Sequence, residues 1–167
     1  MDIQLILTDI DGVWTDGGMY YGNSGDEFKK FNTSDSVGVL LARTAQIPMM
    51  IITGEDEPCV RDRAKKLKIE TAYFGVKDKL GFLKEKLAEM NITFDQVAFI
   101  GDEINDIPLL KRVGFSACPK SAPTYTKELV DLVIPTDGGQ GAFRDFIIEI
   151  LKRMNKFDHA FHHITNP

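Results

Sequence analysis

The chain is poor in the residues that staple or anchor a fold. Its two cysteines, Cys59 and Cys118, stand far apart with no C-x-x-C spacing. That excludes a disulfide framework and a cysteine-ligated zinc site, and leaves two buried free thiols as the expectation. No apolar run approaches the roughly 20 residues that cross a bilayer, and no basic-then-apolar leader precedes the first apolar segment; a cytoplasmic protein is expected. Positive charge is short as well. Twenty Lys and Arg against 25 Asp and Glu leave a net charge of −5, whereas nucleic-acid binding asks for a basic stripe. Internal repeats, low-complexity tracts and linkers are missing, so residues 1–167 read as one domain, large enough to bury a substantial core.

What the chain does have begins almost at once. The apolar run Leu5-Ile6-Leu7 leads into Thr8-Asp9-Ile10-Asp11-Gly12. In extended backbone, residues two apart point the same way, so Asp9 and Asp11 are expected to converge just past a buried strand, with Gly12 permitting a sharp turn. Two facing carboxylates call for a cation or a shared proton. Three further polar landmarks each follow or open an apolar segment: Thr53-Gly54 after Met49 to Ile52, Lys79 at the head of an amphipathic stretch, and Gly101-Asp102-Glu103-Ile104-Asn105-Asp106 after Val97 to Ile100. An open α/β sheet gathers its strand ends along one edge. Carboxylates there supply a metal site and a nucleophile, and Thr and Lys supply donors for a phosphoryl group.

Periodicity predicts strands over 3–8, 49–52, 71–74, 97–100, 115–117 and 132–134, and helices over 35–44, 57–67, 79–90, 106–113, 123–129 and 142–154. Val37, Leu40 and Leu41 are taken as the inward face of the first helix, with Ser34 or Asp35 as its N-cap. Two short β-prone pieces around a Gly/Asn turn make residues 17–31 a hairpin overhanging the site as a flap. Residues 155–167 read as a polar, frayed tail, and His159, His162 and His163 within it receive no chemistry. Strands alternating with helices at these spacings imply an α/β class, Rossmann-like and doubly wound, with a mainly parallel sheet.

Asp9-Ile-Asp11-Gly12, Thr53-Gly54, Lys79 and Gly101-Asp102 followed by Asp106 resemble the four motifs of the haloacid dehalogenase superfamily of phosphatases. The likeness runs from Leu5 to about Gly141. Asp11-Gly-Val-Trp-Thr-Asp-Gly17, Phe31-Asn-Thr-Ser-Asp35, Val60-Arg-Asp-Arg63 and Gly138-Gly-Gln-Gly-Ala142 make it closest to the sugar-acid phosphatases that act on 3-deoxy-octulosonate (KDO) 8-phosphate and its nine-carbon relatives. The gaps between motifs leave no room for a cap domain. The resemblance implies hydrolysis of a phosphate monoester through a phospho-aspartyl intermediate on Asp9. Asp11 serves as acid and then base, and Mg²⁺ is held by Asp9, Asp102 and the Asp11 carbonyl. Thr53 and Gly54 bind phosphoryl oxygens, Lys79 neutralises Asp9 and phosphate, and Asn105 or Asp106 supports from behind. At ~4 Å and an effective dielectric of ~20, the repulsion of two unit charges is ~4 kcal/mol, which sets the need for the metal. It further implies a homotetramer whose neighbouring subunits close each site.

The sugar is read from two departures. The family carries Arg directly after Thr-Gly and in the Gly-Gly-Arg-Gly loop; this chain has Glu55 and Gln140. Arg forks are natural partners of a carboxylate, so their loss, with Lys66 one turn past Arg63, points to a nine-carbon acid. The deaminated neuraminate (KDN) 9-phosphate is expected ahead of N-acetylneuraminate 9-phosphate, with KDO 8-phosphate as the alternative. Substrate contacts are then expected from Asp11, Thr33, Ser34, Asp35, Thr53, Gly54, Glu55, Asp56, Arg63, Lys66 and Lys79. A phospho-accepting receiver domain is the competitor from another class, but a receiver places its Lys last and has no such hairpin. A catalytically idle scaffold would not retain every motif residue.

Overall fold

All four residues from Leu5 to Thr8 are buried. Alternation sends Leu5 and Leu7 into one core and Ile6 into another. A strand buried on both faces belongs at the centre of a sheet covered on each side. The computed structural model, which describes residues 1–166, has that architecture. Its strands are β1 (Leu5–Thr8), the hairpin pair β2 (Tyr20–Tyr21) and β3 (Glu27–Phe28), then β4 (Met49–Ile52), β5 (Ala72–Tyr73), β6 (Val97–Ile100), β7 (Phe115–Pro119) and β8 (Leu132–Ile134). Helices alternate with them: α1 (Ser34–Thr44), α2 (Pro58–Lys66), α3 (Lys79–Met90), α4 (Ile107–Leu110), α5 (Thr124–Lys127), α6 (Ala142–Arg153) and α7 (Phe157–Thr165). Six strands form one sheet in the order β5-β4-β1-β6-β7-β8, every neighbour parallel, while β2 and β3 pair antiparallel apart from it. The chain runs from β1 to β4 and β5 on one side, then crosses back to β6 on the other side of β1, and that reversal opens the crevice in which such sheets bind ligands.

The two cores lie on opposite faces. Side chains of α1, α2, α6 and α7 pack with Ile6, Ile10 and Trp14 on one; Leu83, Leu87, Leu109 and Leu110 of α3 and α4 pack with Leu5, Leu7 and Phe99 on the other. No cap domain follows β1; the hairpin does, and Thr15 bridges to Phe31 at its root.

Three expectations are corrected. Val37 and Leu40 face outward, 46% and 42% exposed; Leu41 points into the core as expected, and Val39 and Ala42 join it there. The cause is Gly38, where a Cβ would stand 3.0 Å from the Arg144 Cα: α1 turns its glycine to α6 so that the helices can approach closely. The C-terminal segment is the helix α7 rather than a frayed tail. Phe157, Ala160 and Ile164 are spaced to share one face; Ala160 is buried, and the other two pack partly buried on the core. Its three histidines are exposed. Cys118 is buried as expected, but Cys59 only partly so.

Asp35, in the first turn of α1, is buried; its Oδ1 accepts a hydrogen bond from the Arg144 N–H at 3.1 Å, and its Oδ2 has no partner. Burial pushes its carboxyl up from 3.8 to about 6, against the opposing pull of the Arg144 amide and the Arg63 and Arg144 charges. A carboxyl raised in this way contributes stability that is complete below pH 3.8 and lost as pH rises through about 6. Asp35→Asn removes that titration. Urea denaturation should therefore show the variant gaining on the wild type by at most about 3 kcal/mol between pH 4 and pH 7. Parallel pH profiles would show that Asp35 titrates in the folded protein as it does in the unfolded chain.

Candidate active site

The turn after β1 is held from several sides. The Trp14 indole donates to Thr8 Oγ1 at 2.9 Å, Thr8 donates to the Asp9 carbonyl at 2.7 Å, and the indole stacks on Phe143 of α6 with centroids 4.3 Å apart. Thr15 Oγ1 accepts from the N–H groups of Gly12 and Gly17 at 3.3 and 3.2 Å and donates to Asp11 Oδ1 at 3.2 Å. Gly12 sits at φ +73°, and a Cβ there would fall 1.8 Å from Asp102 Oδ2. The glycine thus does more than turn the chain: it leaves the space in which the Asp102 carboxylate stands.

Lys79 reaches this turn from the head of α3. Asp78 caps the helix by accepting from the Gly81 N–H at 2.9 Å, which fixes Lys79 at the first helical position. Its side chain is 1% exposed, with Nζ 2.9 Å from Asp9 Oδ1 and 2.6 Å from Asp106 Oδ1. Asp106 Oδ2 accepts from the Asp102 N–H at 3.0 Å. Burial works against the Lys79 ammonium, but Asp9 and Asp106 more than offset it and hold its pKa above the ordinary lysine value. Burial pushes the Asp9 carboxyl well above its ordinary range and the Asp106 charge pushes it further, more than Lys79 pulls it back. Asp102 is raised to about 7, first by burial and then by the Asp106 and Glu103 charges.

A second ammonium enters from the hairpin, and the reading of the sequence missed it. Lys29 Nζ lies 2.8 Å from Asp11 Oδ1 and 2.7 Å from Oδ2, with its side chain 2% exposed. Burial lowers its pKa, but the Asp11 hydrogen bonds and charge, with Glu27, outweigh that and raise it. The available signal was strand alternation: Glu27 and Lys29 turn inward together, and Phe28 between them is 58% exposed.

Four carboxylates (Asp9, Asp11, Asp102 and Asp106), with Glu27 behind the flap, therefore face two ammonium groups (Lys29 and Lys79), so that with every group ionised negative charge is in surplus. Oxygens of Asp9, Asp102 and Asp106 lie within 4.8 Å of one another. Asp9 Oδ1, although near Lys79, is buried without a hydrogen bond. A hard oxygen without a hydrogen bond, in a site with surplus negative charge, fits a divalent cation with oxygen preference. Both Asp106 oxygens are already engaged, so Asp106 braces Lys79 and Asp102 and is a poor candidate ligand. That separates it from Asn105, which lies at the cavity wall.

The cavity measures about 260 Å³ and is lined by Asp9, Asp11, Gly12, Gly17, Thr53, Gly54, Glu55, Asp102, Glu103 and Asn105. Thr53 ends β4 buried, and Glu55 pairs with Lys77 at 3.2 Å on the lip. Other expected contacts do not line it. Asp35 is packed under α6, Asp56 pairs with Arg61, and Thr33 and Lys66 are exposed elsewhere. Ser34 donates its backbone N–H to Asn32 Oδ1 at the flap root. Arg63 donates to the Asn32 carbonyl at 3.0 Å and lies over the Phe31 ring, bracing that root. A larger groove of about 350 Å³ opens around Pro48 and Met49, at the opposite end of β4 from the acidic turn.

The family described as haloacid dehalogenase-like hydrolase matches residues 75–144. The 3-deoxy-D-manno-octulosonate 8-phosphate phosphatase of Haemophilus influenzae is 34% identical over 95% of this chain and 90% of its own length. The enzyme of the same name from Yersinia pestis superposes with a TM-score of 0.90 at 37% identity, over 94% of this chain and 85% of that one. The Moraxella catarrhalis enzyme, solved with magnesium, phosphate and KDO, superposes with a TM-score of 0.93 at 31% identity, over 98% and 94% of the two chains.

A carboxyl raised to about 7 holds its proton in metal-free protein at lower pH, and a cation must displace it. Mg²⁺ affinity measured by calorimetry should therefore fall as pH drops below about 7, with proton release on binding at about pH 6. A flat profile across that range would mean that Asp102 is ionised without the metal.

Proposed function

Because the chain belongs to the haloacid dehalogenase-like hydrolases and is a phosphoric monoester hydrolase of the capless sugar-acid type, with Mg²⁺ as cofactor, we propose that its substrate is KDO 8-phosphate. The observation that carries the phosphatase chemistry is the buried Asp9 carboxylate, gripped by Lys79 at the floor of a cavity that Asp11 shares. Asp9, Asp102 and the Asp11 carbonyl would hold the Mg²⁺, which would supply the charge that lets an anionic ester approach these carboxylates. An Asp9 oxygen forms the new bond to phosphorus as the bond to the sugar oxygen breaks. Asp11 gives its proton to that oxygen, then takes one from the water that cleaves the phospho-aspartate. The Thr53 hydroxyl and Gly54 N–H bind non-bridging oxygens, and Lys79 meets the charge gathering on Asp9 and phosphate.

The eight-carbon ester replaces the nine-carbon one as the first reading. The named relatives act on the former, and Glu55 does not stand as a bare carboxylate: Lys77 lies 3.2 Å from it. A neutralised lip repels a substrate carboxylate far less than a free Glu55 would. The nine-carbon acids stay as the second reading, favoured by Glu55 lining the cavity, where it accepts bonds from additional hydroxyls. A receiver-like role is set aside, since the relatives are hydrolases and Lys79 precedes Asp102 in the chain.

Phosphate release with Mg²⁺ should be fastest, by kcat/KM, on KDO 8-phosphate when compared with KDN 9-phosphate, N-acetylneuraminate 9-phosphate and simple hexose phosphates. Asp9→Asn should reduce all of them to background. Preference for a nine-carbon ester would overturn the substrate reading and leave the chemistry intact.

A capless site over a small sugar needs a cover. Met19, Tyr20, Tyr21 and Phe28 leave the hairpin with more exposed apolar surface than a free flap carries. A homotetramer in which neighbours cover these flaps accounts for both. Sedimentation should give four times the 18.7 kDa chain mass; a fully active monomer at the same concentration would rule it out.

A further inference from the structure

Two charged groups on the inner side of the hairpin have no part in the mechanism above. Lys29 holds both oxygens of the Asp11 carboxylate, at 2.8 and 2.7 Å. Glu27 stands behind it: its Oε1 is 4.0 Å from Lys29 Nζ and is buried without a hydrogen-bond partner. Neither placement is free. An ammonium and a carboxylate each lose hydration under the flap, and an unmade hydrogen bond on a buried oxygen adds to that cost. A flap that served only as a cover would turn these side chains to water and its aromatics inward. Here Phe28 faces out and its charged neighbours face in.

We propose that Lys29 is a positioning residue for Asp11: the flap carries an ammonium that sets the plane of the Asp11 carboxylate toward the leaving-group oxygen, with Glu27 waiting as its second anchor. The inference rests on the phosphatase reading and not on the identity of the sugar. Three points fix the carboxylate. Lys29 binds both oxygens, and Thr15 donates to Oδ1 at 3.2 Å from the other side. When Asp11 turns one oxygen to the ester, Lys29 loses a contact, and the unpartnered Glu27 oxygen is the acceptor in reach. The ammonium thus stays paired while Asp11 moves. Flap geometry and Asp11 aim become one variable, because Lys29 follows the hairpin strands and Asp11 the end of β1.

The test compares leaving groups. An alkyl ester needs its departing oxygen protonated; p-nitrophenyl phosphate, with a good leaving group, needs this much less. Lys29→Met should lower kcat/KM for the alkyl phosphate that the wild type turns over best by roughly 10–100-fold, and that loss should exceed the loss on p-nitrophenyl phosphate by about tenfold. Lys29→Arg should recover most of it, and Glu27→Gln should show the same leaving-group bias to a smaller degree. In an Asp11→Asn background, Lys29→Met should cause no further loss, since the two residues act as one unit. Equal losses on both esters, or full additivity with Asp11→Asn, would overturn the proposal. So would a rise in KM confined to esters that bear a carboxylate, which would make Lys29 a substrate contact. If Lys29→Met fails to fold, Lys29→Arg and Glu27→Gln carry the same comparison. A wild type inactive on sugar-acid esters but active on another alkyl phosphate would refute the substrate and leave this test in force.

Discussion

The constraint on which the rest depends is the surplus of negative charge at the carboxyl end of the sheet. Lys79 can reach both Asp9 and Asp106 only because the α3 cap delivers it there with almost no exposure. Even so, the carboxylates outnumber the two ammonium groups. Burial then drives Asp9 and Asp102 upward in pKa, so the metal-free site holds an unfavourable arrangement that a divalent cation would relieve. Affinity for the cation comes from the same source as the cost of building the site, and an anionic ester can approach only once that charge is offset.

Holding that arrangement requires a rigid frame. The Trp14–Thr8–Asp9 chain of hydrogen bonds ties the acidic turn to β1, and the stacking of Trp14 on Phe143 ties it to α6. The loop at residues 138–141 presses in from the other side: Gly139 donates to the Val13 carbonyl at 3.0 Å, and a Cβ at Gly138 would fall 1.8 Å from the Gly12 carbonyl oxygen. Glycines there and at position 12 are places where backbone or carboxylate occupies the volume that a side chain would need. The one part outside this frame is the hairpin. Its charged inner face and apolar outer face make it a link between the chemistry below and whatever covers it above.

Much of this was legible in the amino-acid order. Short apolar runs alternating with amphipathic stretches implied the parallel, doubly covered sheet, because β1 must bury both faces. The positions of Asp9, Asp11, Thr53, Lys79, Asp102 and Asp106 at the ends of those runs implied one site, because a parallel sheet brings its carboxyl ends to one edge. Less legible were features that depend on how two elements meet. The exposed face of α1 was misassigned because helical periodicity does not say which side of the helix approaches a neighbour; Gly38 against Arg144 decided that. Helix α7 was taken for a tail because its three histidines masked the spacing of Phe157, Ala160 and Ile164, whose burial depends on α1 and α6 being in place.

The sequence by itself therefore determined which residue types stand at the strand ends, and with them the class of chemistry, since strand order and the period of two place such residues before any contact is known. Tertiary structure alone decided the partners. It set Lys29 rather than a nearer residue on Asp11, turned Arg63 to the flap root instead of the cavity, and brought Lys77 to Glu55. Each of those pairs joins segments 18 to 31 residues apart, and a flexible cationic side chain takes whichever carboxylate or carbonyl the packed backbones leave within reach.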